Sequence, residues 1–431
     1  MADCCQGLEN EVSGPPLVYG GLFMKRALLW ILVAGFWASS FATDARVITM
    51  GRHDDFFMDE VSIFRNPANI SIYPNMVYGS YGVYRPTSAD TGQLAALQRT
   101  NRDPVDPFFG AIVSYSLKQD AENRKQYPMF SLGAIFNRHD EMLDYITPGT
   151  NKYYGSSDLK FHAPTGKIDL LGGYVLENGG MIGLGGYLAF QSETQGEVIN
   201  YETSVYKMTG GINWPVAKST NLEVSGAAGI LRAKGDSVSP VNKKIIADND
   251  IFAKADIRLF SALSMINGDF VPHLGVQYVD LYSEQVNFID VAAGVGLNVN
   301  IDKGFFWAGL EGMYNEYSYF SNLTKTGIGG RVSFGIERSI WWDWFVIRVG
   351  GQKILLYTTE DSGGELVGGW YENTPADASD DDLVSLGFGL NVENRLRIDV
   401  VAAEDCAYTF TNLVSGPQHH LFTRVSATYS F

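Results

Sequence analysis

Cysteine is scarce in this sequence, and so are the motifs that carry chemistry. Only three cysteines occur, and two of them, Cys4 and Cys5, lie within the first 23 residues. Cys406 has no partner in the rest of the chain, which excludes an internal disulfide there. The sequence contains no GxSxG, HExxH, Walker or CxxC motif. We therefore expect no enzyme, no cofactor, no metal ion and no nucleic-acid partner.

Acidic pairs near the N-terminus are the remaining candidates for a polar site. His53 precedes Asp54 and Asp55, and a second pair, Asp59 and Glu60, follows. Imidazole and carboxylate groups bind metals, and paired carboxylates serve in acid–base catalysis. Because no nucleophile or pocket context accompanies them, we interpret these residues as a solvated cluster.

Long hydrophobic runs are also missing, apart from one near the start. Residues 27–38 are apolar, follow Met24-Lys25-Arg26 and precede the small residues Ser40 and Ala42. The run is too short for a membrane helix, which needs about 20 residues, but it is typical of a secretory signal peptide. We predict a signal peptide over 24–42 and interpret 1–23 as a gene-model extension. The alternative is a cytoplasmic leader ahead of a signal anchor.

Alternating, strand-sized segments fill the rest of the chain. In residues 286–301 apolar side chains from Ile289 to Ile301 recur at every second position, and Asp290 and Asn298 lie on the other face. About sixteen such segments occur between 75 and 431. Many exceed the usual strand length of about 5–6 residues. They are long enough for tilted strands that cross a bilayer, which need about 9–11 residues.

The connections between these segments alternate in length. Asn178-Gly179 and Asp302-Lys303 are tight turns, whereas the long connections are 86–108, 139–165, 234–250, 357–382 and 404–418. Long loops at one end and short turns at the other are typical of outer-membrane barrels. The final segment, Leu421–Phe431, alternates and ends on an aromatic residue, like the signal read by the barrel assembly machinery.

Tryptophans near the ends of the predicted strands support a membrane location. Trp341, Trp342 and Trp344 share one short turn, and Trp214 and Trp307 lie near other strand ends. Aromatic belts form at membrane interfaces, although the core of a soluble sandwich is the alternative. A propeller would need a 40–45-residue repeat, which we do not find. We predict an all-β fold, a transmembrane antiparallel up-and-down β-barrel of 14–16 strands over 75–431.

Residues 43–74 do not alternate and form no part of the predicted wall. Asn66-Pro67-Ala68 is a helix-start signal, since Asn is a good N-cap and Pro is favoured at the first helical position. A barrel of this size has a bore that side chains alone do not fill. We predict that 43–74 is a short N-terminal lumenal plug.

This segment resembles the N-terminal signature of FadL-type long-chain fatty-acid transporters of the outer membrane and, more closely, of their PorV-like relatives. The matching residues are Ala45-Arg46, Met50-Gly51, 59–64 and Asn66-Pro67-Ala68. Two departures occur: Arg52–Asp55 replaces a small-residue run, and family barrels have fourteen strands. The resemblance implies that 43–74 is a hatch and that Asn66, Pro67 and Ala68 form its binding motif.

We expect a Gram-negative outer-membrane barrel for passive uptake of hydrophobic, fatty-acid-like molecules, gated by this hatch. Its expected partners are outer-membrane lipids, the assembly machinery and either a hydrophobic small molecule or a secreted protein. One alternative is a non-transporting adaptor that binds secreted proteins or a secretion machine. A general porin is the other, but the inward faces carry few charges in the sequence pattern.

Overall fold

The structure is a computed structural model that describes residues 44–82, 107–116, 130–145, 164–195, 199–236, 244–281, 286–319, 323–362, 366–370, 383–393, 395–403 and 424–431. The predicted extension 1–23, the predicted signal peptide 24–42 and the first part of the predicted assembly signal, 421–423, lie outside these residues.

The described part of the chain consists mostly of strands. They are β1 (Met76–Gly82), β2 (Phe108–Tyr115), β3 (Phe130–Phe136), β4 (Gly166–Val175), β5 (Met181–Gln195), β6 (Ile199–Ala217), β7 (Thr220–Asp236), β8 (Lys244–Leu263), β9 (Gly268–Leu281), β10 (Val286–Ile301), β11 (Gly304–Tyr319), β12 (Leu323–Ser339), β13 (Phe345–Ser362), β14 (Leu366–Trp370), β15 (Leu383–Val392), β16 (Leu396–Ala403) and β17 (Arg424–Ser430). The helical elements are α1 (Asp44–Thr49), α2 (Ser62–Arg65) and the 3-10 helices η1 (Pro67–Ile72) and η2 (Glu141–Tyr145). None of these helices is long and apolar enough to cross a membrane.

Sixteen of the strands close into an antiparallel up-and-down barrel. Each pairs with its sequence neighbours, and β17 closes the ring on β1, from Met76 opposite Ser430 to Gly82 opposite Arg424. The short strand β14 pairs only with the outer end of β13, while β13 continues the ring through β15. The predicted barrel is confirmed, with the strand number at the upper end of the predicted range.

Two predicted loops are wrong in part. Residues 234–250 include the start of β8, and residues 357–382 include the end of β13 and all of β14. Of these extensions, β14 is Leu-Val-Gly-Gly-Trp, whereas the Thr-Thr-Glu-Asp-Ser end of β13 is polar. Backbone pairing continues there without an apolar face because strand formation depends on cross-strand partners more than on intrinsic preference.

The two faces of the barrel wall differ in polarity. On β12, Ile328 and Val332 point outward and are 61% and 51% exposed, whereas Ser333, the residue after Val332, points inward and is buried. On β10, Leu297 is exposed and Asn298 is buried. The predicted alternation is therefore confirmed in these strands, and the outer surface of the protein is largely apolar.

Residues 44–72, hereafter the lumenal segment, lie inside the ring. The α1 helix contacts β13, β15, β16 and β17, whereas η1 contacts β3, β4, β5 and β6 on the other side. Asn66 caps η1 by accepting a hydrogen bond from the backbone N–H of Ala68, and Pro67 takes the first position. The predicted helix start is confirmed, although the helix is 3-10 rather than α.

Candidate functional site in the barrel lumen

The Asn66-Pro67-Ala68 turn packs directly on the backbone of the wall. Asn66 Nδ2 donates a hydrogen bond to the carbonyl oxygen of Ile212 on β6, at 3.0 Å. A Cβ atom added to Gly183 would lie 2.2 Å from the Ala68 nitrogen, and one added to Gly211 would lie 2.0 Å from Asn66 Oδ1. Glycine at these two wall positions is therefore what allows the turn to approach.

Glycines accommodate the lumenal segment on nine strands, β3–β6, β10–β13 and β15. At each one an added Cβ would come within 3.0 Å of an atom of the segment, which real Cβ atoms essentially never do. The nine wall positions are Gly133, Gly173, Gly183, Gly211, Gly296, Gly309, Gly335, Gly350 and Gly387. The inner wall is therefore shaped to this segment over more than half of its circumference.

A buried polar network joins the segment to β7 and β8. The Asn69 amide donates to Glu223 Oε1 at 3.0 Å, and Arg258 Nε donates to Glu223 Oε2 at 2.9 Å. Arg258 also donates to the backbone carbonyl oxygens of Asp54, at 2.6 Å, and Phe57, at 3.2 Å. The Arg258 side chain is 1% exposed, so its charge depends on these partners rather than on water.

Ion pairs hold the segment to several further strands. Arg46 donates to both carboxylate oxygens of Glu337 on β12, at 2.9 and 2.8 Å. Acidic residues of the segment pair with wall arginines in the opposite sense: Asp44 with Arg424, Asp55 with Arg331 at 2.6 Å and Glu60 with Arg397 at 2.5 Å. The segment is therefore attached by side-chain contacts that are reversible without breaking the wall.

His53 and the acidic pairs are buried, so the predicted solvated cluster is wrong. Burial alone would raise the pKa of the Asp55 carboxyl, but the charges of Arg65 and Arg331 hold that pKa well below its usual value. Burial lowers the pKa of His53, and the Arg331 guanidinium lowers it further. Both shifts favour a neutral imidazole beside an ionised carboxylate. The wall supplies charges that the local sequence does not show.

An apolar sector of the inner wall lies on β1 to β4. Tyr78, Phe108, Ile112, Ile135 and Leu171, on β1 to β4, form a buried cluster that we call the apolar patch. Two isoleucines of the lumenal segment, Ile63 and Ile70, cover this patch and are themselves fully buried. Removal of the segment would expose hydrophobic wall surface to the lumen.

A second inserted segment, Arg138–Tyr145, enters the lumen from the loop end and was not predicted. Arg138 pairs with Asp169 on β4 at 2.9 and 2.7 Å, and its guanidinium lies 4.1 Å from the ring centre of Phe64. Lys207 on β6 donates to both oxygens of Asp140, at 3.1 and 3.0 Å. The apolar Met142-Leu143 pair within the predicted loop is the signal that indicates this insertion.

Trp307 was misplaced by the sequence analysis. It is fully buried inside the barrel and packs against Phe57, with 5.3 Å between the ring centres, rather than lying at a membrane interface. Trp341, in contrast, is 80% exposed in its turn, and the neighbouring Trp342 and Trp344 are also exposed. Trp307 and Glu311 are four residues apart on β11 and therefore share one face. The charge of Glu311 indicates that this face points inward, and the sequence analysis did not use that signal.

Comparisons with known proteins find similar structures but no family. No protein-family model and no curated protein matches the chain. Among solved structures, the TodX monoaromatic hydrocarbon channel deltaS2 mutant is 10% identical, with a TM-score of 0.38, covering 91% of this chain and 99% of that one. OmpT of Vibrio cholerae in trimer form is 11% identical, with a TM-score of 0.35, covering 82% and 98%. BamA from Haemophilus ducreyi lacking POTRA domains 1–3 is 9% identical, with a TM-score of 0.36, covering 82% and 70%. Similarity at this level identifies no shared ligand or activity.

Proposed function

We propose that this protein is a bacterial outer-membrane β-barrel that admits hydrophobic small molecules by passive diffusion, with residues 43–74 as its hatch. The membrane location is supported by the closed ring, in which each of the sixteen ring strands pairs with two neighbours, and by its apolar outer face. Only helices and closed barrels satisfy all backbone groups in lipid. Outer-membrane lipids are then the partners of the outer face, and β17 is the strand that the assembly machinery would bind.

The apolar patch is the observation that carries the choice of cargo. Elsewhere the described lumen has buried charges, for example Glu223 and Arg258 on β7 and β8, so the expectation of few inward charges is wrong. A second apolar cluster, with Phe260, Val271 and Trp307 on the wall, is covered by Phe56 and Phe57 of the segment. The patch on β1 to β4 is aromatic and aliphatic. Among the residues of the lumenal segment that cover it, Ile63 and Ile70 are the ones that are fully buried. A molecule that replaced these two side chains would need an apolar surface of its own, as an acyl chain has.

The hatch would open by releasing its side-chain contacts while remaining attached to β1. The segment leads through Tyr73 to Asn75 directly into the first wall strand, so its C-terminal end stays fixed. Movement of the Asn66-Pro67-Ala68 turn away from Gly183 and Gly211 would open a route through the lumen along β5 and β6. The FadL-type resemblance of this turn supports the same assignment.

A reversible disulfide provides the direct test of the hatch. A Cβ atom on Gly387 would lie 3.0 Å from Thr49 Cβ, slightly less than the about 3.5–4.5 Å of a disulfide. In a chain whose native cysteines are replaced by serine, Thr49→Cys with Gly387→Cys should confine the segment at both ends. We expect vesicles containing the oxidised variant to lose uptake of a fluorescent long-chain fatty acid, and reductant to restore it.

The single variant Gly387→Cys is the matched control, because it carries the same added Cβ atom, 2.5 Å from the carbonyl oxygen of Val400, and it should take up the probe under both conditions. Uptake that is equal in the oxidised and reduced double variant would contradict a moving hatch. Wild-type vesicles that take up no more probe than protein-free vesicles would contradict the transport function itself.

A non-transporting adaptor is the second candidate, and one observation favours it. Two segments, residues 44–72 and 138–145, occupy the described lumen and contact each other through Phe64 and Arg138. Such filling suits a barrel that serves as a platform for a secreted protein or a secretion machine. Native mass spectrometry of protein extracted in mild detergent separates the candidates, because a transporter retains apolar molecules and an adaptor retains a protein partner.

A further inference from the structure

Three potential metal ligands meet where the lumenal segment touches β11. His53 and Asp55 come from the segment, and Glu311 comes from the inward face of the strand. One ligand atom from each lies within 4.8 Å of the other two, and all three residues are buried. Two ligands bound tetrahedrally at about 2.0–2.1 Å from zinc are roughly 3.3 Å apart, so small side-chain rotations bring this set to bonding distance.

His53 provides a second and independent observation. Its side chain is 9% exposed, and neither ring nitrogen makes a hydrogen bond of acceptable geometry. Nδ1 nevertheless lies 2.9 Å from Asp55 Oδ2, so the ring faces the carboxylate pair. A buried polar group without hydrogen bonds costs free energy, and a metal ion at this position would satisfy the nitrogen.

We propose that His53, Asp55 and Glu311 bind one divalent transition-metal ion of the zinc class and thereby fasten the lumenal segment to the barrel wall. One nitrogen and two carboxylate oxygens are a ligand set that zinc accepts, with water in the fourth position. His273 Nδ1–H donates to Glu311 Oε1, 2.8 Å away, and thus orients the carboxylate as outer partners of metal ligands do. This site goes beyond the proposed transport function and does not depend on it.

Arg331 is the competitor for this site. It contacts Asp55 Oδ2 at 2.6 Å, and its Nε donates to Glu311 Oε2 at 2.7 Å. In the metal-free protein Arg65 lies 2.8 Å from Asp55 Oδ1, and the Arg331 guanidinium supplies the positive charge shared by Asp55 and Glu311. An ion that enters must displace it from at least one of them. Removal of Arg331 should therefore raise the affinity for the metal ion, whereas removal of a ligand should lower it.

Zinc binding to the detergent-purified barrel tests the proposal. After removal of metals with a chelator, equilibrium dialysis against low concentrations of Zn²⁺ and elemental analysis give the bound zinc per chain. We expect one ion per wild-type chain, and at least about 100-fold weaker binding for His53→Gln and Glu311→Gln, because loss of a ligand exceeds the 10–100-fold effect of outer partners. Asp302→Asn is the control, since this carboxylate is 79% exposed and its ion-pair partner is Arg338 rather than a residue of the site.

Arg331→Met separates the site from adventitious binding. Removal of the competing guanidinium should tighten zinc binding, whereas acidic surface sites would not respond. Co²⁺ should quench the fluorescence of Trp307, whose ring centre is 5.1 Å from that of His53, in wild type but not in His53→Gln. Zinc retained at wild-type affinity by both ligand variants would overturn the proposal. Binding by Arg331→Met but not by the wild type would overturn it for the native chain.

Discussion

Replacement of Arg258 by methionine should release the lumenal segment without opening the barrel. The substitution keeps much of the side-chain length but removes the guanidinium that joins Glu223 to two carbonyl groups of the segment. Glu223 would then remain buried, with its side chain 3% exposed, and only neutral amide donors such as that of Asn69 would contact it.

The expected cost follows from the loss of one partner of a buried ion pair. Such losses destabilise by about 3–5 kcal/mol, because the remaining charge has neither water nor a counterion. Since about 1.4 kcal/mol changes an equilibrium constant tenfold, docking of the segment should weaken by roughly 10²- to 4 × 10³-fold. The double variant Arg258→Met with Glu223→Gln should recover part of this loss, since no uncompensated carboxylate remains.

Hydrogen exchange of the purified protein measures this effect locally. Backbone amides of residues 54–72, within the lumenal segment, should exchange faster by the same factor as docking weakens. Amides of the paired wall strands should change little. Arg338→Met is the matched control, because this arginine is 55% exposed and its carboxylate partner Asp302 is 3.7 Å away. Exposed pairs contribute only about 0–1 kcal/mol. Unchanged exchange in the segment, or equal acceleration throughout the wall, would refute this account of how the segment is held.

Three further substitutions test other parts of the structure. Val332→Lys, on the outer face, should destabilise the barrel in lipid vesicles by up to about 2–4 kcal/mol, measured by urea unfolding; Val332→Leu should be neutral, and equal stability of the two would contradict a lipid-facing surface. Gly183→Ala should displace the segment, whereas Gly186→Ala should not, because an added Cβ meets nothing within 4 Å at Gly186. Limited proteolysis of the segment compares the two variants. Equal protection of the segment would show that the wall tolerates the alanine side chain at Gly183. Lys207→Met should weaken the η2 insertion by about 1.5–3 kcal/mol, the value of hydrogen bonds to charged groups; exchange at η2 that matches the wild type would mean that Asp140 does not need this ammonium group.

The barrel itself could be predicted from the sequence because its strands obey a simple rule. Lipid outside and a polar lumen inside force side chains to alternate, as Leu297 and Asn298 do on β10. The helix start at Asn66 was equally local, since an N-cap and a proline are adjacent in sequence. Where the rule weakens, at the polar end of β13, the predicted boundary was wrong.

The lumenal contacts could not be predicted in the same way. Alternation places Glu223 and Arg258 on inward faces, but it does not show which part of the chain each side chain meets across the lumen. The ion pair of Arg46 with Glu337, for example, joins residues that are 291 positions apart in the sequence. The burial of Trp307 and the insertion of η2 were missed for the same reason, because both depend on a partner elsewhere in the chain.

The nine wall glycines that face the lumenal segment also determine where the barrel is mechanically weakest. Glycine within a strand costs about 0.5–1 kcal/mol relative to alanine, because it is freer in the unfolded chain. It also provides no side chain to pack against a neighbouring strand. While the segment is docked, atoms such as the Phe56 ring, which lies against Gly296 and Gly309, provide that packing instead. If the segment opens as proposed, nine strands would lose their inner support together, and the wall would become most deformable around the opening itself.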